Sequence, residues 1–177
     1  MGKGVTVTMP SNRELTVVRE FDAPARLIWD AHTKPELIKR WLFGPPGWSM
    51  PHCTVDLRVG GRYRYVWRND ATGAQFGSYG EYREVAPFER IVTTENMDGL
   101  GPEPFNLEPA WGSEEPSVNT LTLVEAGGKT TLTINMCFPS KEIRDRAVQS
   151  GMSDGMAKSY DRLEAVAAEF ALSGAQH

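Results

Sequence analysis

The order of the predicted elements constrains the fold of this chain more than any other feature. Six short segments rich in β-branched and aromatic residues lie between residues 49 and 138, and Gly, Pro, Asn or Asp separates them. One apolar stripe at helical spacing then follows, formed by Met152, Met156, Tyr160, Leu163, Ala167 and Phe170. A sheet with one wet face must bury its other face, and this helix is the only large cover in the sequence. The order predicts an α+β fold in which a curved antiparallel sheet grips a long C-terminal helix.

The segments before the sheet complete this plan. Residues 14–21 are half apolar and β-branched, which predicts a first strand. Asp22 and Pro24 suit the start of a short helix, and Thr33 and Glu36 have the spacing of a capping box for a second one. Ser140 is placed to cap a later helix, and Gly151 predicts a break before the long one. We expect a flexible tail over residues 1–12, one domain over 13–172 and a short tail over 173–177.

Composition excludes several classes of protein. The net charge is −4, and no cluster of Lys and Arg indicates nucleic-acid or membrane-surface binding. No apolar run is long enough for a membrane span, and the first residues lack the apolar core of a signal peptide. The two cysteines, Cys53 and Cys137, have no metal-like spacing and suit free thiols in a reducing compartment. We expect a cytoplasmic protein without a metal or cofactor.

The stretch over residues 97–117 has no period and contains four Pro and three Gly, which predicts a long loop or lid. Between Arg90 and Lys129 the chain has several acidic residues, beginning with Glu95, and no Lys or Arg. A solvated acidic loop is the simpler interpretation, and a docking surface for a basic partner is the alternative.

Aromatic residues in the strand over residues 62–68 give the clearest indication of a site. Successive side chains of a strand point to opposite faces, so Tyr63, Tyr65 and Trp67 share one face and three Arg share the other. In the next strand Phe76 and Tyr82 take the same inward phase, with the small residues Ser78 and Gly80 between them. Large rings with polar tips beside small residues suit a concave pocket with a few polar groups. Plain core packing beneath the helix is the alternative.

Other residues fall near this predicted space. Met152 and Met156 of the long helix would face it, either as adaptable lining or as core. Trp41 and Trp48 flank the break Gly-Pro-Pro-Gly, and Phe105 and Trp111 lie in the long loop. We expect these four aromatics to form a rim or lid, with simple anchoring of the loops as the alternative.

Evidence for catalysis is weak in the sequence. His32, His52 and His177 belong to no recognised catalytic motif, and no phosphate-cradling glycine loop is present. Glu84 shares the predicted inward phase of Tyr82, so its carboxylate could orient a ligand or act as a base. A salt bridge at the end of the sheet is the alternative.

Four segments carry a resemblance to a known family. They are ELTVVREFDAPARLIWDAHTKPELIKRWLFGP, CTVDLRVGGRYRYVW, GEYREVAPFERIVTTE and GKTTLTINMCFPSKEIRDRAVQSGMSDGMAKSYDRLEAV. Together they span about residues 13–170 in the expected order. The chain resembles the SRPBCC superfamily and, within it, the homologues of the activator of the heat-shock-protein-ninety ATPase.

This resemblance implies a helix-grip, START-like fold with a cavity between sheet and helix. The superfamily includes lipid and hormone carriers, polyketide aromatases and cyclases, and components of ring hydroxylases. Eukaryotic activators of the chaperone resemble this chain only in their C-terminal half. Met156 stands where many relatives have a bulky aromatic residue, which would enlarge the cavity.

Three hypotheses of function follow. The leading one is binding of a hydrophobic or aromatic small molecule in a cavity lined by Tyr63, Tyr65, Trp67, Phe76, Tyr82, Met152 and Met156. The second is a protein-interaction module that stimulates a chaperone ATPase, and the third is a cyclase or hydrolase that uses Glu84 or a cavity tyrosine. Exposed strand edges are compatible with either a monomer or a homodimer.

Overall fold

The computed structural model describes residues 4–100 and 115–174. Eight antiparallel strands form one sheet in the order β1-β2-β8-β7-β6-β5-β4-β3. The strands are β1 Thr6–Thr8, β2 Glu14–Phe21, β3 Trp48–Val55, β4 Arg62–Asn69, β5 Gln75–Ala86, β6 Arg90–Leu100, β7 Ser117–Ala126 and β8 Lys129–Cys137. The helices are α1 Ala25–Thr33, α2 Pro35–Trp41, α3 Lys141–Gln149 and α4 Met152–Gly174. The predicted α+β helix-grip fold is confirmed.

The structure corrects the predicted N-terminal segments. Residues 6–8, expected in a flexible tail, form β1 and pair with β2 in register Thr6 to Val18. The predicted capping box is wrong, because the hydroxyl of Thr33 donates to the Trp29 carbonyl at 2.9 Å and α2 starts only at Pro35. Pro24, with extended backbone, precedes α1, and the Glu125 carboxylate of β7 accepts from the first N–H of that helix, Ala25, at 2.6 Å.

The stretch after residue 96 also differs from expectation. Strand β6 continues to Leu100, where the sequence predicted that a loop begins at residue 97. Its pairing with β5 extends from Arg90 with Ala86 to Leu100 with Gln75. Pairing with β5 supplies these residues with backbone partners that the sequence pattern alone does not indicate.

Apolar burial seals one end of the inner face of the sheet. There β2 and β8 contribute Leu15, Val17 and Leu132, which are at most 1% exposed, and α4 contributes Leu163 at 0%. Burying a side chain of this size stabilises the fold by about 1.5–3 kcal/mol relative to exposure. Phe21 packs edge-on against Tyr160 of α4, with ring centroids 5.7 Å apart. These contacts fix α4 against the sheet.

A buried ion cluster adds to this attachment. The guanidinium of Arg19 on β2 lies 2.9 Å from Asp161 Oδ1 and 2.9 Å from Glu164 Oε2. Glu164 also accepts a hydrogen bond from the backbone N–H of Asp22 at 3.1 Å. Because the Arg19 side chain is 0% exposed, loss of its acidic partners would leave an uncompensated buried charge.

The predicted break before the long helix is present. Ser140 caps α3 by accepting from the Ile143 N–H at 3.2 Å. Gly151 then takes φ 80°, a left-handed conformation that favours glycine, and α4 starts at the next residue. Among the residues described, no helix is long and apolar enough to cross a membrane.

Candidate functional site

Six aromatic side chains form a continuous series on the inner face of strands β3 to β5. In spatial order the ring series is Trp48, Phe76, Trp67, Tyr65, Tyr63 and Tyr82, with neighbouring centroids between 4.9 and 6.0 Å apart. The pair Trp67 and Phe76 is stacked at 4.9 Å. Strand alternation therefore places Tyr63, Tyr65 and Trp67 on one face, as the sequence predicted.

Strand register explains why these rings meet. Tyr63 pairs with Gly80, Tyr65 with Ser78 and Trp67 with Phe76, so three large residues oppose two small ones and one ring. Gly80 is required for this packing. A Cβ atom there would lie 1.8 Å from the Thr94 carbonyl oxygen and 3.0 Å from Cε1 of Tyr63. The missing side chain leaves a path for the Tyr63 hydroxyl, which donates to the Thr94 carbonyl at 2.8 Å.

The inner face is not sealed uniformly. Near β2 and β8 most of its apolar side chains are buried, with Ile134 half-buried. Near β4 to β6 Tyr63 and Tyr82 are buried, whereas Tyr65, Trp67 and Met97 are only half-buried. Met152 and Met156 on the first turns of α4 are half-buried as well and pack against the main core cluster. A closed core would bury these large apolar groups completely. These large side chains therefore keep part of their surface exposed to solvent.

A carboxylate lies on the same face. Glu95 of β6 has the inward phase of Thr93, which pairs with Tyr82 and with Asn119. Ser78 donates to Glu95 Oε2 at 3.1 Å. Burial raises the pKa of Glu95, and hydrogen bonds from Ser78 and Asn119 oppose that shift. The site therefore holds a carboxyl group whose pKa lies above its ordinary value.

The tyrosines beside it are held in the neutral form. Burial raises the pKa of Tyr63, and the charge of Glu95 raises it further. Burial likewise raises the pKa of Tyr65 and of Tyr82, whose hydroxyls hydrogen-bond each other. None of these phenols can act as a phenolate near neutral pH, because the charged form is poorly solvated there.

Most of the donor groups around the site are already used within the protein. Tyr63 donates to a backbone carbonyl, and Trp67 Nε1 donates to the Leu42 carbonyl at 2.6 Å. The Ser78 hydroxyl is used by Glu95. Asn119 Oδ1, by contrast, is buried and has no hydrogen-bond partner among the residues described. Asn119 Oδ1 is therefore an acceptor that remains for a bound molecule.

The predicted rim residues have different positions. Trp48 is half-buried and ends the ring series against Phe76 at 5.5 Å. Trp41 is not at a rim: it is 3% exposed, stacks on Tyr160 at 5.9 Å and donates to the Ala31 carbonyl. Helix α2 places Trp41 between α1 and α4. The sequence pattern alone could not distinguish this buried position from one at the rim of the site. Phe105 and Trp111 lie outside the described residues.

The inward placement of Glu84 is wrong. A register shift between Tyr82 and Glu84 interrupts the alternation of β5, so Glu84 leaves the inner face. Its carboxylate is 50% exposed and lies 3.2 Å from Arg90 Nε, which is the salt bridge at the sheet end that the sequence left open. A catalytic role for Glu84 in the cavity has no structural basis.

Glu95 and Asn119 are the site residues that sequence analysis missed. Glu95 was assigned to a solvated acidic loop because the residues that follow it are acidic and irregular. The available signal was phase: Ile91, Thr93 and Glu95 alternate on β6, and Asn119 and the buried Leu121 alternate on β7. A polar residue in phase with buried apolar ones indicates an inward carboxylate or amide.

Metal chemistry was not expected from the sequence. Within residues 4–100 and 115–174, no group of three or more His, Cys, Asp or Glu side chains is arranged to hold a metal ion.

Comparison with known families gives a direct match. The model of the family described as "Activator of Hsp90 ATPase homolog 1-like protein" matches residues 22–168. The chain belongs to this family. The match covers both short helices, strands β3 to β8 and most of α4, so it includes the whole candidate site. The resemblance seen in the sequence is thereby confirmed.

Solved structures agree with the assignment of the Activator of Hsp90 ATPase homolog 1-like family. A Rhodobacter sphaeroides protein is 26% identical, with a TM-score of 0.82 over 94% of this chain and 99% of that one. Ms6760 from Mycobacterium smegmatis is 25% identical, with a TM-score of 0.75 over 92% and 96%. NE0264 from Nitrosomonas europaea, at 24% identity, has a TM-score of 0.76 over 93% and 99%, and shows the fold alone. A search of curated proteins finds no significant match.

Proposed function

We propose that this protein is a cytoplasmic binder of a hydrophobic or aromatic small molecule, which it holds between the sheet and α4. The observation that supports the proposal most strongly is the unequal burial of the inner face. Most apolar groups beside β2 and β8 are buried, while Tyr65, Trp67 and Met97 stay half-buried although they face inward. Large apolar side chains that keep partial exposure on a concave face favour a bound apolar partner.

The ring series supplies a wall of suitable chemistry. Aromatic faces make offset or edge contacts with another ring and also bury aliphatic chains. Met152 and Met156 are adaptable and would tolerate ligands of differing shape. Removing roughly 60 Å² of apolar ligand surface from water contributes about 1.5 kcal/mol, so several such contacts give measurable affinity.

Binding can be tested with a neutral hydrophobic fluorophore such as N-phenylnaphthylamine. We expect saturable fluorescence enhancement that Tyr65→Ala weakens by roughly 5 to 30-fold, because one ring contact of about 1–2 kcal/mol is lost. Tyr79→Ala is the matched control, since Tyr79 lies on the outer face of the adjacent strand and is 41% exposed. Equal loss in both variants, or no saturable binding to the wild type, would refute the proposal.

A second candidate is stimulation of a chaperone ATPase, which membership of the Activator of Hsp90 ATPase homolog 1-like family alone favours. Its test is the ATPase rate of the cognate chaperone with micromolar amounts of this protein. Absence of stimulation removes this candidate. Stimulation that survives Tyr65→Ala would separate it from ligand binding, because Tyr65 lies on the inner face.

A further inference from the structure

Several hydrogen-bond donors of the candidate site are already used within the protein, whereas one buried acceptor is not. The hydroxyls of Tyr63 and Ser78 and the indole N–H of Trp67 all donate to protein acceptors. Asn119 donates to Glu95, which fixes its amide nitrogen on the carboxylate and leaves Oδ1 without a partner in the described structure. A buried acceptor without a partner costs about 1–3 kcal/mol, so a ligand that donates there recovers that free energy.

No cation balances the acid. Among the described residues, Glu95 takes part in no ion pair, and only burial and two neutral hydrogen bonds act on it. The buried Arg19 is already engaged by Asp161 and Glu164. On the outer face Arg64 pairs with Asp98 at 3.0 Å. Within residues 4–100 and 115–174, this inward carboxylate therefore has no counter-ion.

Aromatic rings adjoin this acid. Ser78, which donates to Glu95 at 3.1 Å, pairs with Tyr65 across β4 and β5, so the carboxylate lies beside the middle of the ring series. A cation over a ring face gains about 0.5–2 kcal/mol, and a charged hydrogen bond contributes about 1.5–3 kcal/mol. A carboxylate, an unpaired amide oxygen and aromatic faces are together the surroundings that suit an ammonium group.

We propose that the ligand of this site is a hydrophobic amine in its ammonium form. Its nitrogen would donate to Glu95 and to Asn119 Oδ1, and its apolar body would lie along Tyr65, Trp67 and Phe76. This inference rests on the proposed binding function and adds the chemical class of the ligand. Neutral and anionic molecules with the same body would bind more weakly, since they lack either the charge or the donors.

Binding of an ammonium ion is linked to the proton on Glu95. Burial raises the pKa of Glu95, so protonation competes with a cationic ligand as the pH falls. The nearby phenols of Tyr63, Tyr65 and Tyr82 and the thiol of Cys53 stay neutral, because burial raises their pKa values as well. Amine affinity should therefore fall as the pH is lowered through the raised pKa of Glu95, whereas affinity for an alcohol of the same shape should not.

The test compares phenylbutylamine, phenylbutanol and phenylbutyrate by calorimetric titration. We expect the amine to bind about 10-fold or more tightly than the alcohol, and the carboxylate most weakly. Glu95→Gln should reduce the preference for the amine to less than about 2-fold and abolish its pH dependence, while binding of the alcohol persists. Glu84→Gln removes one exposed surface charge and controls for general attraction by the negative protein. Asn119→Leu, which deletes the free acceptor, should weaken the amine in the same direction.

The outcomes are distinguishable. If the alcohol and the carboxylate bind as tightly as the amine, the inference fails while the proposed function stands. If none of the three binds and N-phenylnaphthylamine does not bind either, the proposed function fails first. If the Glu95→Gln variant does not fold, amine binding by Asn119→Leu and the pH dependence of amine binding by the wild type still test the inference. An amine affinity that does not change with pH would overturn it.

Discussion

Two glycines give a pair of substitutions with opposite expected signs. Gly80 of β5 faces the Thr94 carbonyl oxygen, which a new Cβ would approach to 1.8 Å. Gly155 lies in the first turns of α4, and a Cβ there would meet no atom within 4 Å. The same change, Gly to Ala, therefore introduces a clash with backbone at one site and fills open space at the other.

The magnitudes differ as well as the signs. Overpacking at Gly80 costs about 1–3 kcal/mol. Displacing β6 also breaks the 2.8 Å hydrogen bond from Tyr63 to Thr94, which leaves buried polar groups unpaired at about 1–3 kcal/mol. Gly80→Ala should therefore lower the free energy of unfolding by about 3 kcal/mol, or roughly 6–12 °C in Tm. Gly155→Ala should raise it by about 0.5–1 kcal/mol, because alanine favours the helix.

Urea unfolding followed by tryptophan fluorescence measures both variants against the wild type. The slope with denaturant should stay unchanged, so that the midpoint reports stability. A Gly80→Ala protein within about 0.5 kcal/mol of the wild type would refute the packing argument. So would a Gly155→Ala protein as unstable as Gly80→Ala, since the effect would then reflect the loss of glycine rather than the clash.

Three further predictions concern titration. Because the folded pKa of Glu95 is raised, its contribution to stability is present below its ordinary value of 4.5 and is lost as the pH rises above that value. In urea unfolding, Glu95→Gln should therefore gain stability relative to the wild type as the pH rises above 4.5, and a difference that does not change with pH would contradict this. Burial lowers the pKa of His32 from 6.5 to about 4, so the free energy of unfolding should fall by at most about 3 kcal/mol as the pH drops through this range. Acid unfolding of His32→Gln tests this, with His52→Gln at an exposed position as the control. If the stability of His32→Gln depends on pH as steeply as that of the wild type, the prediction is wrong. Burial raises the pKa of the Cys53 thiol to about 11, so Cys53 should react with a disulfide reagent at pH 8 far more slowly in the folded protein than in urea. The rates are measured in a Cys137→Ser variant, in which Cys53 is the remaining thiol. Equal rates in the folded protein and in urea would contradict the prediction.

Much of the fold could be predicted because its sequence signals are local. Strand β2 has the predicted bounds, and Ser140 and Gly151 mark a cap and a break by their own chemistry. β1 could not be predicted, since Thr6–Thr8 is too short to show a pattern and is ordered by pairing with β2. The false capping box at Thr33 arose because its hydroxyl prefers a carbonyl one turn earlier.

Prediction of the candidate site succeeded where alternation was uninterrupted. The phase of β4 gave Tyr63, Tyr65 and Trp67 correctly. It failed for Glu84, because a register shift in a strand leaves no mark in a single sequence. It also missed Glu95, which was grouped with the acidic residues that follow it although it shares the phase of Ile91 and Thr93 on β6.

The hydrogen bonds that hold the rings have a consequence for recognition. Trp67 and Tyr63 are each tied to a backbone carbonyl, so their side chains cannot change rotamer without breaking that link. A ligand therefore contacts rings whose orientation is already fixed. The cost of ordering these side chains, about 0.5–1.5 kcal/mol for each, is part of folding and does not reduce the affinity for the ligand. We therefore expect the ring series to select ligands by their shape, while the flexible methionine side chains of α4 adjust to differences between them.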